Sequence, residues 1–561
     1  MRRSGIKIMT NLILLMKGFI SVLVLAITTG VLGFLSGTGI LLFGTMAIAK
    51  CFGCFEGITT TTLFVIIIGC GVARGLLRYL EQYSNHYIAF KILAVFRDKI
   101  FAKLRTLCPA KLESKQKGAI ISMITADIEA LEVFYAHTLS PVGIAIFSSL
   151  AVIVFTWFVC SPYMAMFLLF AYIVIGVIMP LISSKFLGQL GVEYRKHLSD
   201  FNGFFMDNIK GINEIILHGR IEQKQQEVED YTQELINSSD SLNKKGVVFD
   251  AISNIVMVAL NATLIVIGIL LLQMGAVNFG QLIVGVVALL SSYGPVLALN
   301  ALPNSLSQTF AAGDRVMDLL EETPLVIENQ NGKSITLDTV EIEKLQFSYD
   351  KNVKVIDDIT MSIKKGEIVG IQGESGNGKS TLLKLIMRFW EKDSGNILLQ
   401  GVDVSNVNAA NLKENVTLIS QTTYVFAGTV RENLLLAKEN ATNEEIANAC
   451  KKANIHNFIL TMENGYDTMI GGKNTSLSSG EKQRLGLARA FLRNTKFILL
   501  DEPTGNVDSI NEGIILKAIV DNTKDKAVIL VSHRDSTISI ASKVYNLNNG
   551  QLHERSNRKE A

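Results

Sequence analysis

Four stretches of the chain contain no Asp, Glu, Lys or Arg: Gly18 to Ala49, Gly57 to Ala73, Val133 to Ser184 and Ala251 to Gly313. A helix crossing hydrocarbon about 30 Å thick needs roughly 20 apolar residues. The first two stretches therefore predict one spanning helix each and the last two predict two each. That places six spans at about 18–48, 57–105, 134–160, 162–190, 248–274 and 279–305. Buried helices of a large soluble protein are the competing reading, but a charge-free run as long as Ala251 to Gly313 has no natural place in one.

The helical pattern does not stop where the apolar character does. No Gly or Pro interrupts Leu76 to Leu107, so the second span is expected to run on as about 75 Å of helix. Cys108-Pro109 breaks it, and a polar piece through Gly118 leads into a further helix with Asp127, Glu129 and Glu132. A second charged amphipathic stretch, Glu193 to Lys245, separates the fourth and fifth spans and holds turn candidates at Gly203 and Gly211. Two long hairpins result, whose turns are either docking pieces for another domain or solvated loops. Basic residues mark the cytoplasmic side. Arg2, Arg3, Lys7 and Lys17 precede the first span, and Arg97, Lys99, Lys103, Arg105, Lys111, Lys115 and Lys117 follow the second, so both termini are expected in the cytoplasm. The first apolar run is too long for a cleaved signal peptide.

Past residue 320 the pattern changes. A polar linker at 321–335 contains Pro324 and Asn329-Gln330-Asn331-Gly332. Beyond it, short apolar runs such as Ile368–Ile371 and Phe497–Leu500 alternate with helical ones, which predicts an α/β domain with a largely parallel sheet over 336–553. Residues 554–561 form a basic tail, expected to be loose. Composition agrees: 561 residues exceed one core, and 49% hydrophobic residues with a mean hydropathy of +0.33 require a membrane part. Nothing calls for a nucleic-acid partner. The cysteines, Cys51, Cys54, Cys70, Cys108, Cys160 and Cys450, lack paired metal-ligand spacing, so no zinc site is indicated. Cys51 and Cys54 stand at the outer end of the first span as inert thiols or a redox pair.

The chemistry begins at Gly373-Glu374-Ser375-Gly376-Asn377-Gly378-Lys379-Ser380-Thr381, directly after an apolar strand and before a helical run. This is a P-loop. Its glycines let backbone N–H groups close on the phosphates of ATP, Lys379 neutralises charge, and Ser380 can ligate Mg²⁺. About 120 residues on, the strand Phe497–Leu500 ends in Asp501 and Glu502. Asp501 is placed to hold Mg²⁺ and Glu502 to polarise the attacking water. The fold class expected is an α-helical six-span membrane domain (1–320) followed by an α/β P-loop ATP-binding domain.

Between those elements, Leu477-Ser478-Ser479-Gly480-Glu481-Lys482-Gln483-Arg484 resembles the signature of ABC transporters. The resemblance implies that Ser478, Ser479 and Gly480 meet the γ-phosphate held by the P-loop of a second chain, so that each ATP is sandwiched in a dimer. It further implies that Tyr349 stacks on adenine, that Gln421 touches Mg²⁺ and the membrane domain, that Asp508 in Gly505-Asn506-Val507-Asp508 belongs to the D-loop, and that His533 is the switch histidine. Two departures stand out: Ser479 where the family usually has Gly, and Glu481 where many members have Gln. Ile470-Gly471-Gly472-Lys473 also lacks the Glu common in exporters, so coupling is expected to differ in detail there.

The order of domains resembles ABC exporters. Within them Arg78-Tyr79-Leu80-Glu81, Asn85-His86, Cys108 to Leu112 and Thr125 to Leu131 resemble the CydC subunit of the bacterial CydDC exporter. That implies a bacterial cytoplasmic-membrane location among membrane lipids and a small-molecule substrate of the cysteine or glutathione type. The partner would be a CydD-like half-transporter, with a homodimer as the alternative. It also makes His86 the candidate haem ligand, although Gln82 stands where an Arg is expected, which favours an ordinary helix histidine. Export of lipid, drug or antimicrobial peptide by the same engine, or an ATP-gated sensor that moves nothing, are the rival readings. Arg74, Arg78, Glu81 and Asn85 share one helix face, either lining a cavity for a polar, zwitterionic or anionic substrate or forming an Arg–Glu clasp.

Overall fold

The computed structural model describes residues 3–53, 57–113, 117–350, 353–472, 476–505 and 507–555. Arg2, Cys54, Lys115, Lys473, Asn506 and the tail beyond 555 lie outside the described residues, and with them the Cys51–Cys54 pairing and the end of the segment before the signature. The chain forms two units, Met1–Arg105 with Gln116–Glu322, and Thr106–Lys115 with Thr323–Ala561.

The first unit holds six helices long and apolar enough to cross a membrane: Lys17–Cys51, Thr60–Leu107, Gly118–Val159, Pro162–Lys210, Ile221–Gln273 and Phe279–Ala298. The fifth, at 53 residues, is about 80 Å long. Outward faces are apolar, as lipid requires: Val65, Ile68 and Val72 are exposed. Helices approach one another at small residues. A Cβ at Gly285 would stand 2.4 Å from Met164, and one at Gly143 would stand 2.8 Å from Ile27. Polar pairs add interhelical bonds, buried Tyr172 Oη to Ser292 Oγ at 2.5 Å and half-buried Asn261 Nδ2 to Tyr293 Oη at 3.2 Å.

Two expectations need correction. The helix Met179–Lys210 runs straight through Gly203, because Phe204 stacks on Tyr231 at 4.6 Å and ties the arms of the hairpin together; the break comes only at Gly211, before the short helix Ile212–Leu217. The sixth span is not one run to 305. It ends at Ala298, passes through a tight turn, Leu299–Ala301, and restarts as Leu302–Glu321, where Pro303 has no N–H to continue the ladder and suits a first helical turn.

That last helix is anchored by ion pairs. Arg3 reaches Asp314, Asp318 and Glu321 at 2.8, 2.5 and 2.8 Å. Arg315 grips buried Asp127 with two bonds of 2.8 and 2.5 Å. Removing one partner of a fully buried pair costs several kcal/mol, but the Arg315 side chain is 55% exposed. Arg315→Ala is therefore expected to lower stability by about 2 kcal/mol, read as a drop in the thermal midpoint of the detergent-solubilised protein.

The second unit is an α/β domain. A four-stranded antiparallel sheet runs Val353–Lys364, Thr339–Asp350, Ser394–Leu399, Val402–Asp403. Beside it a six-stranded sheet runs Gln551–Glu554, Lys543–Asn548, Ile368–Gln372, Ala527–Ser532, Phe497–Asp501, Val416–Ile419, parallel except at its first pair. The central strands are almost wholly buried, which is why they read as continuous apolar runs. Their register brings four carboxyl ends to one edge. The P-loop, His533, Glu502 and Gln421 each follow one of those ends, where α/β sheets place ligand sites. Within this unit Lys384, on the helix after the P-loop, pairs with Glu113 at 2.9 Å.

Candidate functional site

The P-loop turns on two glycines in the left-handed region, Gly376 and Gly378, both at φ +92°. At Gly378 a Cβ would come within 2.9 Å of the Val355 carbonyl, so only glycine fits. The helix Lys379–Ile386 starts there and points its amino end at the loop. Lys379 is buried, and its ammonium donates to the carbonyls of Gly373 (2.7 Å) and Glu374 (2.8 Å). Burial pulls its pKa below the ordinary lysine value, against the opposing charges of Glu502 and Asp501. Next along, Ser380 Oγ donates to Asp501 Oδ1 at 2.9 Å. Burial pushes the Asp501 carboxyl up, and the Ser380 bond offsets part of that rise. These two oxygens form a hard-donor pair suited to Mg²⁺.

Glu502 sits in a left-handed backbone conformation, φ +45°, which a non-glycine residue adopts at a cost of about 1 to 3 kcal/mol. Its N–H is held by the Val531 carbonyl at 3.0 Å. The strain turns its carboxylate outward between two partners. Gln421 Nε2 donates to one oxygen at 3.0 Å, and His533 Nδ1 lies 3.0 Å from the other, donating when that nitrogen carries the proton. The structure thus brings together Lys379, Ser380, Asp501, Glu502, Gln421 and His533. Tyr349 joins from the antiparallel sheet: its hydroxyl is 3.0 Å from Thr381 Oγ1, and its half-exposed ring is propped edge-on by Trp390 at 4.8 Å.

Ser478, Ser479, Gly480 and Asp508 form a second cluster. Ser478 caps the helix Ser479–Arg493 in a reciprocal box, receiving the Glu481 N–H at 3.4 Å while Glu481 Oε2 accepts the Ser478 N–H at 2.8 Å. Glu481 thus has a structural task in the signature. Gly480 is buried against Asn511; a Cβ there would stand 3.1 Å from the Asn511 amide carbon. Asp508 caps the helix Ser509–Asn522, and hydrogen bonds from Asn511 hold its carboxyl below the usual range. The bonds of Ser478 and Asp508 stay within these two helices.

Four residues that sequence reasoning did not single out bind the site together. Gln483 donates to the Gln421 carbonyl at 2.5 Å and accepts from Thr423 at 3.0 Å, linking the signature helix to the residue that holds Glu502. Asn511 accepts from Arg484 and donates to Asp508. Glu512 accepts from Arg534, Ser536 and Thr537 and thereby fixes the segment after His533. Trp390 gave only the weak signal of being one of two tryptophans in the chain.

In the membrane unit, Arg78 and Glu81 form the clasp, at 2.5 Å, and Asn85 Nδ2 approaches the other Glu81 oxygen at 3.4 Å. The same face lines a cavity of about 450 Å³ with Arg74 and His137. His86 is not among its lining residues; its ring stacks on Phe90 at 6.0 Å and meets His137 edge-on at 6.3 Å.

Comparison with known proteins covers the chain nearly end to end. Residues 8–296 match the ABC transporter transmembrane region and residues 356–505 match the ABC transporter family. A Haemophilus influenzae protein described as an ABC transporter ATP-binding/permease protein is 40% identical over 98% of this chain and 100% of its own length. A Staphylococcus aureus protein described as a multidrug export ATP-binding/permease protein is 31% identical over 89% of this chain and 86% of its own. The solved structure of a bacterial Atm1-family ABC exporter with ATP bound shares the fold, with a TM-score of 0.81 at 20% identity over 96% of this chain and 95% of that one.

Proposed function

The chain belongs to the ABC transporter family, as a membrane-embedded ATPase coupled to export, and from that premise we propose that it is one half of a pair that carries a small solute out of the cytoplasm. The observation that carries the reading is Glu502, a carboxylate in a strained backbone with one oxygen on Gln421 and the other on His533. A base held from both sides, close enough to the P-loop Lys379 to feel its charge, suits hydrolysis of a terminal phosphate.

The P-loop amides and Lys379 take the phosphates, and Tyr349 takes the base. Ser380 and Asp501, with Gln421, are the residues that would hold Mg²⁺, which when bound neutralises charge on the phosphate oxygens. Glu502 accepts the proton of the attacking water while Gln421 and His533 keep it oriented. Ser478 of one chain closes on the nucleotide held by the other; its place at a helix amino end supports that role. Closure of the paired ATP domains then shifts the membrane domains outward, and hydrolysis resets them.

A second half-transporter, either another copy or a CydD-like chain, completes the molecule in a bacterial cytoplasmic membrane, with both termini inside. The thiol substrate rests on the CydC resemblance, whereas the name of the Staphylococcus aureus relative favours a drug-like compound. ATP-dependent accumulation of solute by inverted membrane vesicles tests export. Hydrolysis without accumulation of any solute would favour an ATP-gated sensor.

The signature supplies a narrower test. Ser479 adds a Cβ and a hydroxyl at the first helical position, where the partner nucleotide must come close. Ser479→Gly is expected to raise ATP turnover of the purified dimer about threefold, a barrier lower by under ~1 kcal/mol. Unchanged turnover would remove the idea that this signature slows its site.

A further inference from the structure

A cavity in the membrane unit is walled by the first, second, third and sixth spans and lined by Arg74, Arg78, Glu81, Asn85 and His137, among others. Its volume of about 450 Å³ falls within the range of roughly 300 to 1,000 Å³ usual for small-molecule sites. Three glycines of the first span make it possible. A Cβ at Gly30 would collide with Ile144 of the third span at 2.3 Å and press on the Glu81 side chain at 3.2 Å, one at Gly33 would press on Leu77 at 3.2 Å, and one at Gly37 on Arg74 Nε at 3.2 Å. At these three positions the first span therefore presents backbone to the charged face of the second, while Phe34 adds an apolar ring to the cavity wall.

The charges in the cavity do not cancel. Arg78 is matched by Glu81 at 2.5 Å, but among the described residues Arg74 pairs with no carboxylate. Arg74 lies 14 residues, about 21 Å, along the second span from its start at Thr60, a depth at which an unpaired cation needs a counter-charge. Asn85 shows the opposite deficit. It is 4% exposed, and its Oδ1 accepts no hydrogen bond from any of the described residues. A buried carbonyl oxygen without a donor is costly. A lone guanidinium and an orphan acceptor thus face the same space, 11 residues apart on one helix face, about 16 Å along the axis and less once the length of the arginine is taken off.

We propose that this cavity is the substrate site and takes a small amphoteric solute with a carboxylate on Arg74 and an N–H donor, on the order of 10 Å away, on Asn85 Oδ1. The inference rests on the exporter reading and narrows its solute to an amphoteric, peptide-like class. A carboxylate suits guanidinium through paired hydrogen bonds, and the N–H end is drawn as well to the negative oxygens of Glu81 beside Asn85.

The test uses the full protein in nanodiscs of phosphatidylcholine, a lipid whose headgroup carries no N–H and cannot imitate the ligand. The probes are tritiated triglycine and its C-terminal amide, which lacks the carboxylate. Triglycine is expected to bind saturably, and the amide at least tenfold more weakly. Arg74→Gln should weaken triglycine at least tenfold while leaving the amide unchanged, Arg74→Lys should restore part of the loss, and Asn85→Leu should weaken both probes severalfold. No saturable triglycine binding, equal binding of acid and amide, or an Arg74→Gln variant that binds triglycine normally while its thermal midpoint falls would each overturn the assignment, the last by showing a clasp to another chain. If ATP hydrolysis and vesicle accumulation persist through such a failure, the ligand class falls and the exporter reading stands; if accumulation itself is lacking, the exporter reading falls with it.

Discussion

Glu502→Gln is expected to lower ATP turnover about 10²- to 10⁴-fold while leaving ATP binding intact, so that the purified protein accumulates as a nucleotide-bound pair. The substitution keeps shape and removes basicity. The amide oxygen can still accept from Gln421, which donates at 3.0 Å, and the strained backbone at φ +45° is unchanged because its N–H bond to Val531 does not involve the side chain. What disappears is the second carboxylate oxygen facing His533 at 3.0 Å and the capacity to take a proton from water. Phosphate release in a single turnover measures the chemical step, and gel filtration with ATP measures the trapped pair. Turnover within threefold of the parent would show that another group is the base.

Much of this site can be read along the chain because its parts are local. A glycine-rich loop after a strand, and two acids at the end of another, carry their chemistry in consecutive residues. The six spans were equally open to reading, since a bilayer excludes charge over a fixed length. What escaped notice depends on contacts between distant segments. The helix through Gly203 survives because the Phe204–Tyr231 stack outweighs a glycine penalty of about 1 kcal/mol. Gln483 is one more residue of the signature in the sequence, whereas in the fold its side chain bridges Gln421 and Thr423. The stripe from Arg74 to Asn85 was visible as helical spacing, but spacing could not separate a clasp from a cavity. Both are present, because Gly30, Gly33 and Gly37 of another span leave room on that face.

Lys379→Ala should have the opposite signature, loss of ATP binding before any chemistry. In this structure the ammonium is buried and held by two loop carbonyls, so the loop is already wound around the charge that the phosphates will meet. Alanine leaves those carbonyls without their donor and leaves Asp501 and Glu502 without the cation that faces them. The burial-raised Asp501 carboxyl then moves further up, because the Lys379 charge is one of the influences holding it down. Mg²⁺ binding should accordingly fail first at the acidic end of the working range. A loss of at least about 100-fold in ATP affinity, near 2.7 kcal/mol, is expected. The cleanest readout is thermal. At ATP concentrations about 100 times the parent Kd, nucleotide stabilises the parent by about 2.7 kcal/mol, whereas the variant should show almost no shift in the midpoint of its ATP-binding domain. Glu502→Gln under the same conditions should shift at least as far as the parent. If Lys379→Ala still formed the ATP-bound pair, phosphate recognition would lie in the loop amides alone, and the buried lysine would serve only to hold the empty loop in shape.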